Sequence, residues 1–174
     1  MKLLPVLLLC TSLAVTGCVS TTGASQGAKQ ITPEQAAEMQ YQVLDSINSL
    51  RTAKGLAPVQ LNAQLNAAAA THSRDMAVQN RPWHFGSDGS SPLDRVRRVG
   101  YSGTLLGENI SETYETALET LSDWMAQPDT RAVILDPTAT EIGFAWFQEP
   151  SGKMWWTLVS GTAANIGTPA SQLG

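Results

Sequence analysis

The chain has 174 residues, and its 15 acidic side chains outnumber its 11 lysines and arginines, which gives a formal charge of -4 at pH 7. Proteins that bind nucleic acid neutralise phosphates with a basic surface, so this acidic balance excludes nucleic acid as a partner. The clustered cations Arg95, Arg97 and Arg98 are expected to form a solvated helix face. The only two cysteines, Cys10 and Cys18, lie near the start of the chain. The residues that follow therefore contain neither a disulfide nor a thiol nucleophile.

The start of the chain has the order of a secretory signal. Lys2 precedes an apolar run over residues 3–13, and the small residues Thr16 and Gly17 come directly before Cys18. A cleavage site of small residues after a short apolar run is typical of a signal that is removed. The run is too short to span a hydrocarbon core about 30 Å thick, so a permanent membrane helix is the weaker interpretation.

The tetrad Val15-Thr16-Gly17-Cys18 resembles the bacterial lipobox. This resemblance implies that residues 1–17 are removed and that Cys18 carries a lipid, such as palmitate, which anchors the protein to a membrane of the cell envelope. Val19 provides no acidic retention signal, which implies the outer membrane if the cell has two membranes. An ordinary signal peptide with an incidental cysteine is the alternative.

Residues 18–30 comprise the lipidated cysteine and a segment rich in Ser, Thr, Gly and Ala, a composition that suits a flexible tether. A single domain is predicted over residues 31–165, followed by a tail over residues 166–174. Thr32, with Gln35 three residues later, has the pattern of a capping box, so the first helix of the domain is predicted to start there and to end at Gly55.

Three more helices are predicted from spacing and caps. The second begins near Asn62, because four residues recur at helical intervals on one face: Leu65, Ala69, His72 and Met76. A third follows the cap Ser91 and ends at Gly100. A fourth extends from about Thr113 to Ala126 and is ended by Pro128.

The last part of the domain has the alternation of a β-hairpin. Apolar residues alternate with others over residues 141–146, a second apolar run covers residues 154–159, and Glu149-Pro150-Ser151-Gly152 lies between them. Helices followed by such a hairpin predict an α+β domain, with the helices packed on a small antiparallel sheet. The hairpin aromatics are expected either to fill the core or to line a cleft: Phe144, Trp146, Trp155 and Trp156.

The candidates for chemistry are two histidines and three acids, since the chain has none of the common nucleophile or phosphate-binding motifs. These candidates are His72, His84, Asp88, Glu108 and Glu141. Two imidazoles and a carboxylate would suit a divalent metal. His72 lies on an apolar helix face and is also interpreted as a core histidine that is hydrogen-bonded to a backbone carbonyl. His84 lies in a loop, Glu108 follows Gly107, and Glu141 opens a strand where it is free to pair with Arg131.

These residues stand within a longer series that resembles the CAP superfamily, which groups cysteine-rich secretory, antigen-five and pathogenesis-related proteins. The bacterial branch is the most similar. The series begins at Ala69-Ala70-Thr71-His72 and continues through His84, Asp88–Pro92, Arg95-Val96, Gly100-Tyr101, Gly107–Ile110, Trp124-Met125, Arg131, Ile134-Leu135, Glu141–Gly143 and Trp156-Thr157. The resemblance implies an α-β-α sandwich with a central cleft that often binds zinc or another divalent cation through two histidines and two acids.

By motif, His84 matches the first family histidine and Glu108 matches the acid of the Gly-Glu-Asn turn. The second acid falls on Gln127 and the second histidine on Trp155, while His72 and Glu141 match residues that are frequent in the bacterial branch. One imidazole and one carboxylate are fewer ligands than a catalytic zinc site uses, so weak or absent cation binding is predicted.

The leading hypothesis is a cell-envelope lipoprotein whose CAP domain binds a ligand in its cleft without catalysis. The resemblance admits a lipid, a small apolar ligand or an envelope polymer as the partner. A metal-dependent hydrolase is the second hypothesis, with His84 as ligand or base and Glu108 activating water. A structural or adhesive envelope protein is the third hypothesis.

Overall fold

The structure is a computed structural model that describes residues 29–113 and 115–164. The predicted signal, Cys18, most of the tether and the tail lie outside the described residues. The described elements, in chain order, are α1 (Pro33–Thr52), β1 (Gln60–Leu61), α2 (Ala63–Gln79), α3 (Pro92–Arg98), β2 (Thr104–Thr113), α4 (Ala117–Ala126), α5 (Pro128–Ile134), β3 (Glu141–Gln148) and β4 (Met154–Thr162).

Side-chain caps determine where most of these helices begin. Thr32 and Gln35 form the predicted capping box of α1, and Asn62 caps α2 as expected. Ser91 forms a capping box at the start of α3. The prediction for α4 was wrong by about one turn, because Thr113 still belongs to β2 and the capping residue is Thr116.

The four strands form one mixed sheet in the order β1-β3-β4-β2. Strands β3 and β4 form the predicted hairpin, in which Phe144 pairs with Leu158. Strand β2 runs antiparallel to β4, and β1 runs parallel to β3. Strands β1 and β2 and helix α5 were not predicted. Glu108 therefore lies within a strand and not in a turn.

Helices cover both faces of this sheet, which confirms the α-β-α sandwich. One cluster of buried residues joins α1, α4 and α5 to the face of the sheet that carries Phe144, Trp156 and Leu158. A second cluster joins α2 and α3 to the face that carries Ala145 and Val159. Both clusters lie between residues 31 and 159, so a fragment that starts at Ser20 retains all of them. None of the described helices is long and apolar enough to cross a membrane.

The hairpin aromatics belong to the core. Phe144, Trp155 and Trp156 are almost completely buried, and Trp146 packs against the first cluster. The rings of Phe144 and Trp156 stack, with their centroids 5.8 Å apart. Because α2 lies directly on β3, a side chain at Gly143 would collide with the backbone of Leu65. This close approach explains why glycine interrupts the apolar pattern of β3.

Arg51 ties the end of α1 to the segment that leads into β3. Its side chain is fully buried, and its guanidinium donates four hydrogen bonds to backbone carbonyls, those of Ala57, Ile134, Asp136 and Ala139. Burial lowers the pKa of this guanidinium, and the charge of Asp136 opposes that shift. The guanidinium thus donates to four backbone carbonyls, of which that of Asp136 also accepts from the amide of Ala139.

Replacing Arg51 by Met is therefore expected to reduce the free energy of unfolding by at least about 3 kcal/mol, since several buried carbonyls lose their donor. Arg97→Met is the matched control, because Arg97 is exposed on α3, and it should change stability by less than about 0.5 kcal/mol. Urea unfolding followed by tryptophan fluorescence measures both values. Equal stabilities of the two variants would contradict this role for Arg51.

Candidate functional site

The carboxylate of Glu108 lies at the centre of a buried charge cluster. Its side chain projects from β2 toward α2 and α3 and is 2% exposed. Nη2 of Arg95, on α3, donates to both carboxylate oxygens at 2.9 and 2.7 Å. Arg95 also donates to the carbonyls of Ser90 and His84, each at 3.0 Å. One guanidinium thus joins α3, β2 and the loop between α2 and α3.

This position of Arg95 corrects the expectation of a solvated arginine face. Arg97 and Arg98 are exposed, as predicted, and Arg98 pairs with Asp88 at the surface. Arg95 is only 5% exposed. A guanidinium is buried in a protein only when charged and polar partners compensate its lost hydration, and Glu108 is that charged partner.

His84 covers the outer side of the cluster. Its Nδ1 lies 2.9 Å from Oε1 of Glu108, and its side chain is half exposed. The loop that carries it is fixed to α2 by Asp75, whose carboxylate accepts from the amide and hydroxyl of Ser87, and by a bond of 2.8 Å from the indole of Trp83 to Gln79. The imidazole is therefore held at a defined place, with one face open to solvent.

His72 lies beneath the same carboxylate but serves the core. Its side chain is fully buried on α2, and Nε2 lies 2.9 Å from the carbonyl oxygen of Trp83. Because a carbonyl only accepts, Nε2 carries the proton and donates it, which agrees with the prediction of a carbonyl-bonded core histidine. Oε1 of Glu108 is 3.7 Å from Nε2, beyond hydrogen-bond distance. Burial lowers the pKa of His72, and the charge of Glu108 opposes this shift only in part.

Glu141 is not part of the cluster. It opens β3, two strands away from β2 in the sheet, and its carboxylate accepts from Tyr101 at 2.8 Å and from Asn62 at 3.0 Å. Burial and this hydrogen bond to Glu141 raise the pKa of Tyr101. The suggested pairing with Arg131 was also wrong, because Arg131 donates to the carbonyl of Met125. Glu141 therefore completes no site with His72.

Residues 44–160 match the family model described as CAP, the cysteine-rich secretory protein family. This chain belongs to that family. It is 31% identical over 123 residues to the uncharacterized protein YkwD of Bacillus subtilis (strain 168). The alignment covers 71% of this chain and 47% of YkwD, so the chain spans about half the length of the curated relative that it matches.

Two solved structures share the fold of this CAP domain. An extracellular protein containing an SCP domain from Bacillus anthracis str. Ames has a TM-score of 0.67 at 23% identity, over 78% of this chain and 45% of that chain. An outer surface protein from Borrelia burgdorferi has a TM-score of 0.64 at 13% identity, over 73% of this chain and 94% of that chain. At these identities the likeness concerns the fold alone.

The residues of this CAP domain do not fit the divalent cation that the family resemblance implies. Both oxygens of Glu108 are engaged by Arg95, whose positive charge opposes a second cation at the same carboxylate. His72 uses Nε2 as a donor to a carbonyl. Within residues 29–113 and 115–164, no group of three or more His, Cys, Asp or Glu is arranged to hold a metal ion. No step of chemistry is therefore assigned to a metal.

The two departures from the family pattern have structural roles. Trp155, at the position of the second family histidine, is fully buried, and its indole donates to Glu149 at 2.7 Å. Gln127, at the position of the second acid, is exposed and precedes α5 as its cap residue. Neither residue supplies a metal ligand.

A mutant cycle tests the buried ion pair. Arg95→Met leaves Glu108 charged and buried without a cation, so unfolding should require about 3–5 kcal/mol less than in the wild type. The double variant Arg95→Met with Glu108→Leu should recover most of that loss, because no uncompensated charge remains. Arg98→Met removes a surface partner of Asp88 and should change stability little. The interpretation is wrong if Arg95→Met is as stable as Arg98→Met in urea titrations.

The neutral state of His72 predicts a pH dependence of stability. Its pKa in the folded protein is below its ordinary value of 6.5, so below that pH the unfolded chain binds a proton that the folded protein does not. The free energy of unfolding should therefore fall as the pH drops from 7.5 to 5.5, by at most about 1.4 kcal/mol per pH unit from this group. His72→Gln should remove this component, and His84→Ala should retain it. An unchanged slope in His72→Gln would exclude His72 as the cause.

Proposed function

We propose that this protein is an extracellular, membrane-anchored CAP-domain module that binds a component of the cell envelope without catalysis. The single observation that carries the proposal is the engagement of both Glu108 oxygens by Arg95. A carboxylate held in this way is poorly suited to activate water or to recruit a cation. The cluster then serves to fix the loop that presents His84 to solvent.

The exposed surface of that loop provides the contact. Phe85, next to His84, is 48% exposed, and its ring centroid lies 5.5 Å from that of Trp83. The guanidinium of Arg81 lies over the Trp83 ring, 3.9 Å from its centroid. An exposed phenylalanine, supported by a partly buried tryptophan and placed beside a hydrogen-bonding imidazole, suits a ligand that has both apolar and polar faces. A lipid or an envelope polymer has this character.

The location follows from the sequence and from the relatives together. The lipobox-like tetrad that ends at Cys18 supports lipid attachment at that cysteine. The similar proteins from Bacillus anthracis and Borrelia burgdorferi are described as an extracellular protein and an outer surface protein. In a cell with two membranes the anchor would lie in the outer membrane, because Val19 is not acidic. In a cell with one membrane the domain would face outward.

A second candidate function rests on the contact between His84 and Glu108. When Nδ1 of His84 donates to the carboxylate, Nε2 remains as an exposed base that is oriented by a buried acid. This arrangement would serve a metal-free hydrolase. Arg95 weakens the case, because it already neutralises the charge that would stabilise a protonated imidazole. An adhesive role remains the third alternative and would not depend on His84.

Native mass spectrometry tests the proposal on the protein purified from its own envelope without chelator. The mature chain is expected to begin at Cys18 with a covalent lipid, and the fragment from Ser20 is expected to retain an organic ligand. His84→Ala and Phe85→Ala should lose that ligand, whereas Tyr41→Ala, which removes an even more exposed aromatic from α1, should retain it. A stoichiometric cation that disappears in His84→Ala would contradict the proposal and support a metal-dependent hydrolase instead of the metal-free one. A ligand retained by both loop variants would contradict binding through the His84 loop and point to another surface.

A further inference from the structure

A groove between α2 and α3 forms a second concave surface, beyond the His84 loop. Its volume is about 420 Å³, and residues 87–90 close one end of it. Its lining includes the apolar side chains of Ala68, Val78 and Val99, of which Ala68 is buried and Val78 is 77% exposed at the rim. Pockets of a few hundred Å³ with an apolar lining and a few polar groups are typical of small-molecule sites. The groove therefore has the size and lining for a small organic ligand.

Charged residues surround the groove. Three arginines and two aspartates line it: Arg74, Arg95, Arg98, Asp75 and Asp88. Glu108 compensates Arg95, and Asp88 compensates Arg98. Both aspartates are engaged within the protein. Asp75 accepts from the amide and hydroxyl of Ser87, and Asp88 accepts from the Ser90 amide and from Arg98. Their carboxylates thus stabilise the loop that closes the groove.

Arg74 is the cation at the rim that has no acidic partner. Its guanidinium lies over the ring of Phe147, 5.1 Å from the centroid, and forms no salt bridge with any residue that the structure describes. Arg74 is exposed. An exposed guanidinium that is already positioned by an aromatic ring is well suited to bind a carboxylate.

Arg95 adds a buried donor with no partner. Nη1 and Nη2 bind Ser90, His84 and Glu108, but Nε has no hydrogen-bond partner among the described residues, although the residue is only 5% exposed. A buried N–H without an acceptor is costly, and such groups in proteins usually indicate an unseen partner. Because Arg95 lines the groove, an acceptor bound there is the natural partner for Nε.

From these observations we propose that the α2–α3 groove binds a small monocarboxylate with an apolar body. Its carboxylate accepts from Arg74 and from Nε of Arg95, and its apolar part contacts Ala68, Val78 and Val99. A single carboxylate matches Arg74, the one lining arginine that no carboxylate of the described residues pairs with. The inference goes beyond the function proposed above, since it concerns another surface and its failure leaves the role of the His84 loop unchanged.

The test is a nuclear magnetic resonance titration of the ¹⁵N-labelled fragment from Ser20 with 4-phenylbutyrate. The amide 4-phenylbutanamide is the matched neutral probe, because it has nearly the same shape. The acid should shift backbone signals of residues 68–78 and 95–99 together with the side-chain Nε–H signal of an arginine, which Arg95→Lys should remove. The amide should bind at least about tenfold more weakly, since it lacks the charge that Arg74 and Arg95 recognise.

Variants at the exposed rim keep the test independent of folding. Arg74→Gln should weaken binding of the acid at least about tenfold, and Val78→Glu should do so by placing a negative charge at the rim. Arg81→Gln is the control, because it also removes one positive charge, but from a guanidinium that lies outside the groove, over the Trp83 ring. It should change the affinity for the acid by less than about twofold. The proposal is overturned if the acid and the amide bind equally, if Arg74→Gln binds as well as Arg81→Gln, or if the acid shifts no groove signal up to its solubility limit.

Discussion

The buried contact between Arg95 and Glu108 is the interaction on which the rest of the functional face depends. It connects α3 to the edge strand β2, and through the carbonyls of Ser90 and His84 it also holds the loop between α2 and α3. Both charges are almost completely removed from water. Such a pair stabilises a fold only when each charge keeps its partner, because an isolated buried charge is far more costly than the pair. The conformation of the loop is therefore linked to one guanidinium.

This contact also determines what the CAP cleft of this chain is able to do. A carboxylate and imidazoles that face each other across a cleft would form a cation site if their electron pairs were free. Here an internal cation already occupies the carboxylate, and His72 donates its proton to a carbonyl. The two positions at which relatives would add ligands hold Gln127 and Trp155. The geometry thus favours a fixed binding surface around His84 over a reaction centre.

Much of the fold could be predicted from local sequence signals. Capping boxes and helical spacing located α1, α2 and α3, and alternation located the hairpin, because these signals depend on neighbouring residues only. Strand β2 was missed because it is an edge strand that contains several polar residues, among them Asn109 and Glu112, and its alternation is therefore weak. Helix α5 was missed because Pro128 was interpreted as the end of one helix, whereas it occupies the first turn of the next.

The site was harder to predict, because burial of a charge is a tertiary property. His84 and Glu108 were correctly brought together by motif, and the core role of His72 followed from the apolar face of α2. Arg95 was assigned to solvent, since nothing in a run of arginines shows which one meets an acid 13 residues away. Glu141 was placed near the cleft by residue type, but its position at the start of β3 gives it Tyr101 and Asn62 as partners instead.

A crystal structure of the mature domain, grown with zinc in excess and measured at the zinc absorption edge, tests the central claim most directly. The account predicts that Arg95 occupies both oxygens of Glu108 and that no anomalous peak lies beside this carboxylate. A zinc ion bound by His84 and Glu108, with the Arg95 side chain displaced, would contradict it. Such a result would show that the cleft binds the divalent cation that the family resemblance implies.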